Sequence, residues 1–170
     1  SGRTGLYKQS LEISDYSPDQ LHMSHIQLGS EFQYEGKPKF QKGDIWIIPM
    51  PTRTYGERQK VYAYFELYNL NKNQFGQTSY KTQYNVRSSS LPSIGVFGAV
   101  SSGFKALFRN RKPSFSIETE HTVSDTDVEA EYVEIDLEKA KPGVNALEIR
   151  ITDLVTSQEV SREVKFRYGN

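Results

Sequence analysis

Apolar and polar residues alternate with a period of two along most of this 170-residue chain, which is typical of β-strands. The clearest segment is residues 60–70, KVYAYFELYNL. Its odd positions from Val61 to Leu67 are apolar, and its even positions are mostly tyrosine. A strand with hydrophobic side chains on both faces belongs inside a sheet rather than at its edge. We therefore expect this segment to be the central strand of an all-β domain.

Similar segments lie on both sides of it. Residues 45–50 are apolar at consecutive positions, which indicates a strand buried on both faces. Residues 79–87 alternate regularly after a polar turn, so they predict an antiparallel hairpin with the central strand. In the second half, a change of phase near Tyr132 predicts a β-bulge. Residues 156–158 then predict a turn into a final strand at 160–168.

These short segments, joined by turn residues, define the fold class that the sequence predicts. The expectation is all-β: an antiparallel β-sandwich of about eight or nine strands, formed as one domain over residues 1–170. A chain of this length buries roughly 70% of its unfolded surface, which is enough for a core without disulfides or metals. The opening residues 1–5, SGRTG, look like an expression remnant or a processed end.

One segment breaks the period of two. Residues 88–111 place apolar side chains at helical spacing, although three glycines and a proline weaken a helix there. Two interpretations stay open for this insertion. It is either a crossover that packs over one end of the sandwich, or an apolar and basic surface that docks a protein partner or touches lipid headgroups. The side chains that would carry the second interpretation are Phe97, Phe104, Phe108, Lys105 and Arg109.

Charge and composition narrow the classes of partner. Lys plus Arg and Asp plus Glu each number 21, so the net charge is zero and no overall field favours nucleic acid. No apolar run approaches the ~20 residues of a transmembrane helix. The absence of cysteine excludes disulfides, thiol catalysis and thiolate metal sites. Charge does not identify the partner. The expected partner is another protein or neighbouring domains of the same chain, and no cofactor is expected.

Motifs that carry catalytic chemistry are sparse. The nucleophile elbow, the P-loop, the dinucleotide-binding motif and the zinc-protease motif are all absent, so we expect a protein that is not an enzyme. Asp125, Asp127 and Glu129 have the alternate spacing of the first calcium ligands in an EF-hand loop. However, Ala130 and Asp136 stand where that loop requires Gly and Glu. A solvated acidic turn is the stronger interpretation and calcium the weaker one.

The tyrosines of the central strand are the candidate contact residues for a protein partner, since Tyr62, Tyr64 and Tyr68 share one face. Together with Trp46 they would make an aromatic platform for sugar rings, so a carbohydrate-binding module is the alternative function. An enzyme domain with an unrecognised pocket is a second alternative. Glu66 lies on the same face, and a carboxylate on an interior strand needs an ion pair or hydrogen bonds.

Several stretches resemble a β-rich region of bacterial proteins that also carry a GWxTD domain. They are LHMSHIQLGSEF at 21–32, IIPMPTRTYGE at 47–57 and VYAYFELYNL at 61–70. Residues 133–166 resemble the strand, Pro-Gly turn and final hairpin of immunoglobulin-like envelope modules, although the GWxTD motif itself is absent. The resemblance implies an immunoglobulin-like β-sandwich that serves as a non-catalytic interaction or structural module of a larger bacterial protein. It further implies a periplasmic, envelope or secreted location, and it brings no catalytic residues.

Overall fold

The computed structural model describes residues 16–33, 41–42, 45–88, 115–124, 127–135, 137 and 140–169. These residues form two β-sheets and contain no helix. The first sheet consists of β1 (His22–Met23), β2 (Gln27–Gln33), β3 (Gln41–Lys42), β4 (Ile45–Pro49), β6 (Val61–Tyr68) and β9 (Val128–Ile135). The second sheet consists of β5 (Thr54–Tyr55), β7 (Gln77–Ser88), β8 (Phe115–Ser124), β10 (Gly143–Asp153) and β11 (Glu159–Tyr168).

The predicted all-β class is therefore confirmed, and the two sheets form a sandwich around a shared core. The eleven strands in the described residues exceed the predicted eight or nine, because three of them are only two residues long. Apart from Ser88, the insertion at 88–111 lies outside the described residues. The helix that its apolar spacing suggests therefore stays a prediction.

Strand β6 is the centre of the first sheet, as its apolar faces predict. It pairs antiparallel with β9 along one edge over its whole length, and with β1 and β2 along the other edge. Its inward side chains Val61, Ala63, Phe65 and Leu67 are fully buried. Residues from the second sheet meet them across the core, namely Tyr80, Tyr84, Val86, Leu147, Ile149, Ile151, Val164 and Phe166.

The predicted hairpin between the central strand and the segment 79–87 is wrong. β7 does not pair with β6 but enters the second sheet, where β8 and β10 flank it. Asn69, which has a positive φ of 62°, starts the connection. Asn71 then binds the Asp153 carboxylate at the end of β10, through its backbone N at 2.9 Å. The connection thus carries the chain from one sheet to the other, and β6 and β7 face each other across the core.

The predicted bulge near Tyr132 is also wrong. β9 pairs with β6 in an unbroken register from Val128 opposite Tyr68 to Ile135 opposite Val61. The apparent change of phase arises because Glu129 and Glu131 occupy core-facing positions, opposite Leu67 and Phe65. By contrast, the predicted last hairpin is confirmed, since β10 and β11 pair antiparallel along their length.

Candidate functional site

The outer face of the first sheet, opposite the core, carries a second cluster of hydrophobic side chains. Three of its members are buried and three are partly buried. Strands β2, β4, β6 and β9 all contribute to it. We call this set the outer aromatic face, and it consists of Phe32, Ile45, Ile47, Tyr62, Tyr64 and Tyr132.

A β-bulge in β2 helps to build this face. The register between β2 and β4 shifts between Gly29 and Glu31, so one extra residue is accommodated there. Because side chains alternate along a strand, the extra residue places Phe32 on the same face as Gly29. Gly29 leaves room for Ile47, since a Cβ at position 29 would lie 2.5 Å from Ile47 Cγ1 and 2.8 Å from the Ile48 carbonyl oxygen.

The rings of the outer aromatic face stack across three strands. The centroids of Phe32 and Tyr132 are 4.2 Å apart with an interplanar angle of 20°. Those of Phe32 and Tyr62 are 5.9 Å apart at 28°. Such aromatic pairs contribute about 0.5–1.5 kcal/mol beyond the burial of their area. The cluster is therefore a pre-ordered surface rather than a set of independent side chains.

Next to this cluster, two phenol hydroxyls hold the Glu66 carboxylate. Tyr64 donates to Glu66 Oε1 at 2.6 Å, and Tyr68 donates to Glu66 Oε2. The Glu66 backbone N–H donates to Ser24 Oγ at 2.9 Å. The prediction that this carboxylate needs an ion pair or hydrogen bonds is thus confirmed.

These contacts set the ionisation of both tyrosines. The hydrogen bond to Glu66, followed by burial, raises the pKa of Tyr68 to about 12. Burial, followed by the hydrogen bond to Glu66, raises the pKa of Tyr64 above its ordinary value. Both phenols therefore stay neutral donors at physiological pH.

The aromatic surface continues past Tyr68 toward the N-terminal side of the described residues. The exposed ring of Tyr16 lies 5.0 Å from the Tyr68 ring and 5.1 Å from the His22 ring, centroid to centroid. His22 Nε2 is 3.1 Å from the Ser17 carbonyl oxygen, which fixes the orientation of the imidazole. Aromatic side chains thus line the outer face along the full length of β6.

The outer face of the second sheet has the opposite character. Glu148 there forms ion pairs with Arg87 and, at 3.7 Å, with Arg150. Lys81 lies 3.6 Å from a Glu118 carboxylate oxygen. One outer face of the sandwich is therefore charged, whereas the other is aromatic.

The structure brings the three predicted tyrosines to one face but does not bring Trp46 to them. Ile45 and Ile47 pack against Tyr64, and because side chains alternate along β4, Trp46 points to the opposite face of the first sheet. The remaining predicted contact residues, Phe97, Phe104, Phe108, Lys105 and Arg109, lie outside the described residues.

Of the three residues of the weaker calcium interpretation, the structure describes Asp127 and Glu129. Asp125 lies outside the described residues. The exposed carboxylate of Asp127 pairs with Lys72 at 3.5 Å, and Glu129 is core-facing on β9. Across the described part of the chain, no group of three or more metal-binding side chains is arranged to hold an ion.

Comparison with known proteins gives no family for this chain. Neither a scan against protein-family models nor a search of curated proteins finds a match. In the part of the chain that the structure describes, no helix is both long and apolar enough to cross a membrane.

Proposed function

We propose that this domain is a non-catalytic protein-interaction module whose outer aromatic face binds the surface of a folded protein. The observation that carries this proposal is the contrast between the two outer faces of the sandwich. The second sheet carries ion pairs on its outer face, such as the partly exposed pair of Lys81 with Glu118. The outer face of the first sheet instead carries the stacked rings of Phe32, Tyr62 and Tyr132, and all three rings are only partly buried.

The chemistry of these side chains suits a protein contact. Tyrosine and phenylalanine are enriched at the centres of protein interfaces, where the ring supplies contact area and the hydroxyl a hydrogen bond. Rings that are already stacked lose little rotamer entropy on binding. Because Phe32 stacks on Tyr132 and Tyr62, these side chains lose part of their conformational entropy on folding rather than on binding.

The margin of the outer aromatic face is polar, as the rim of an interface usually is. Lys60 and Glu134 form an exposed ion pair at 2.9 Å beside Tyr62. This pair raises the pKa of Lys60, chiefly through its hydrogen bond to Glu134. An apolar centre with a charged margin favours a partner whose surface has the same two zones.

The biological setting in this proposal rests on sequence resemblance. The likeness to GWxTD-associated regions supports a module of a larger bacterial protein that acts in the periplasm, in the envelope or outside the cell. The two packed, mainly antiparallel sheets support an immunoglobulin-like arrangement for that module. The insertion at 88–111 is a second candidate contact in the same module.

Site-specific cross-linking in the source organism tests the proposal. A photo-reactive benzoylphenylalanine at position 62 reports on the outer aromatic face. The same group at position 161 on β11 reports on the outer face of the second sheet, at a distance from the edge strand β8. We expect a defined protein adduct from position 62 and none from position 161. Equal labelling from both positions would contradict the proposal. Glycan-array binding that is lost in Tyr62→Ser, without a protein adduct, would replace it with the carbohydrate-binding alternative.

A further inference from the structure

Strand β8 is a long and regular edge strand. It runs from Phe115 to Ser124 and pairs with β7 without any shift of register. Residues 116–120 are exposed on both faces of the strand, and Ile117 retains 42% of its surface. In the described residues, no strand pairs with its other edge. That edge presents a row of backbone N–H and C=O groups.

Natural edge strands usually carry features that prevent pairing with another chain. β9, the neighbouring edge of the first sheet, has such a feature, because Glu129 and Glu131 point inward from it. β8 contains no proline and no bulge, and the carboxylates that it carries, Glu118 and Glu120, are both negatively charged. An edge of this kind is the template that strand-adding recognition domains use.

The charged side chains of β8 indicate which strand it would accept. Glu118 and Glu120 share its outward face, where β7 places Gln83 opposite Glu118 and Lys81 opposite Glu120. A hydrogen bond from Gln83 is the main cause that lowers the pKa of Glu118, which is therefore ionised at neutral pH. A second neighbouring strand with basic side chains at the same positions would repeat this pairing across the open edge.

We propose that β8 binds an extended segment of another protein as an added strand, with alternating Lys or Arg side chains facing Glu118 and Glu120. On the opposite face of the added strand, an apolar residue covers the exposed side chain of Ile117. This surface is separate from the outer aromatic face, so either proposal can fail without the other.

A second copy of the same chain fits this edge poorly. Two β8 strands that pair around a two-fold axis at residue 118, 119 or 120 set Glu118 or Glu120 opposite a glutamate of the other copy. Like charges directly opposite each other destabilise a pair of strands. A basic strand from a different protein has no such conflict.

The test uses the intact domain and a short peptide in which lysine and valine alternate. Binding is followed by NMR, together with the hydrogen exchange of the β8 amides. We expect the peptide to slow exchange at alternate residues of β8, because only every second N–H of an edge strand faces outward. A charged contact without strand pairing would leave these exchange rates unchanged and would overturn the proposal.

Charge reversal adds the control for specificity. The double variant Glu118→Lys with Glu120→Lys should bind the lysine peptide about tenfold more weakly and should prefer a peptide with glutamate in place of lysine. Glu159→Lys with Glu163→Lys, on β11, makes the same change of net charge and should leave the affinity unchanged. Equal losses in both variants, no binding by the wild type, or self-association of the wild type through β8 would each overturn the proposal.

Discussion

Tyr80 and Glu131 tie the two sheets together, because the buried phenol hydroxyl of Tyr80 on β7 donates a hydrogen bond to the Glu131 carboxylate on β9. The His121 ring stacks on Tyr80 with centroids 4.9 Å apart, and its Nδ1 lies 3.5 Å from Glu131 Oε1. Burial, followed by the contact with Glu131, raises the pKa of Tyr80, so its hydroxyl remains a donor. This edge of the sandwich is thus held by a polar contact between core-facing residues.

Removing that donor should destabilise the domain. Tyr80→Phe keeps the ring but leaves the largely buried carboxylate of Glu131 without the hydroxyl, so we expect a loss of about 1–3 kcal/mol in the free energy of unfolding. Urea denaturation measures this loss. Tyr16→Phe removes a hydroxyl at an exposed position and serves as the control. Equal stability of Tyr80→Phe and the wild type would show that the hydrogen bond contributes nothing.

Acid sensitivity should depend on Asp153, whose buried carboxylate accepts four hydrogen bonds. Burial alone would raise its pKa, but hydrogen bonds from Asn71, Val155 and Thr156 hold the pKa below its usual value. The stability that it contributes is therefore present above about pH 4 and is lost as the pH falls through the lowered pKa. We expect Asp153→Asn to cost about 3 kcal/mol at neutral pH.

Urea unfolding at a series of pH values checks this expectation. Below about pH 4 the stability of Asp153→Asn should fall less steeply than that of the wild type, because the titrating carboxylate is gone. Asp127→Asn removes a fully exposed carboxylate and should follow the wild type. Parallel curves for the wild type and Asp153→Asn would contradict the assignment.

Alkaline sensitivity should depend on the tyrosines beside Glu66. A tyrosine whose pKa is raised by folding contributes stability that is fully present below about pH 10 and is lost as the pH rises through the raised value. For Tyr68 that value is about 12. In Glu66→Gln we expect the pKa of Tyr68, followed by NMR of labelled tyrosine, to fall toward about 10. An unchanged pKa would mean that the carboxylate is not its main cause.

Gly29 should tolerate no side chain. A Cβ there meets both the Ile47 side chain and the Ile48 carbonyl oxygen, and the backbone atom cannot turn away. We expect Gly29→Ala to lower the free energy of unfolding by about 3 kcal/mol. Gly56→Ala is the matched control, because the nearest atom to its added Cβ is 3.9 Å away. Equal effects of the two substitutions on the urea midpoint would contradict the crowding at Gly29.

The fold class and the central strand follow from the sequence because period-two alternation reports directly which side chains share a face. It does not report which strand lies alongside. β7 shows the difference, since its alternation is regular and yet its neighbours are β8 and β10 rather than β6. Its position depends on long-range contacts, such as the one between Tyr80 and Glu131, that local pattern does not encode.

The candidate site is predictable in part for the same reason. Tyr62, Tyr64 and Tyr68 are found by spacing alone. Phe32 reaches their face only through the bulge that follows Gly29, and the neighbouring glycine and serine are a weak local sign of it. The sequence pattern does not identify Tyr132 as a member of the site. Two core-facing positions of β9 are glutamates, so the alternation along β9 does not show which of its faces is buried.

The most direct test of the proposed function is the affinity of the protein that is cross-linked at position 62, measured by titration calorimetry with the purified domain. Tyr62→Ser combined with Tyr132→Ser should weaken binding by about 30-fold or more, as expected for aromatic residues at the centre of an interface. Lys81→Ser combined with Gln83→Ser, on the other sheet, should leave the affinity unchanged. If the aromatic variant stays folded and binds as tightly as the wild type, the outer aromatic face is not the binding surface.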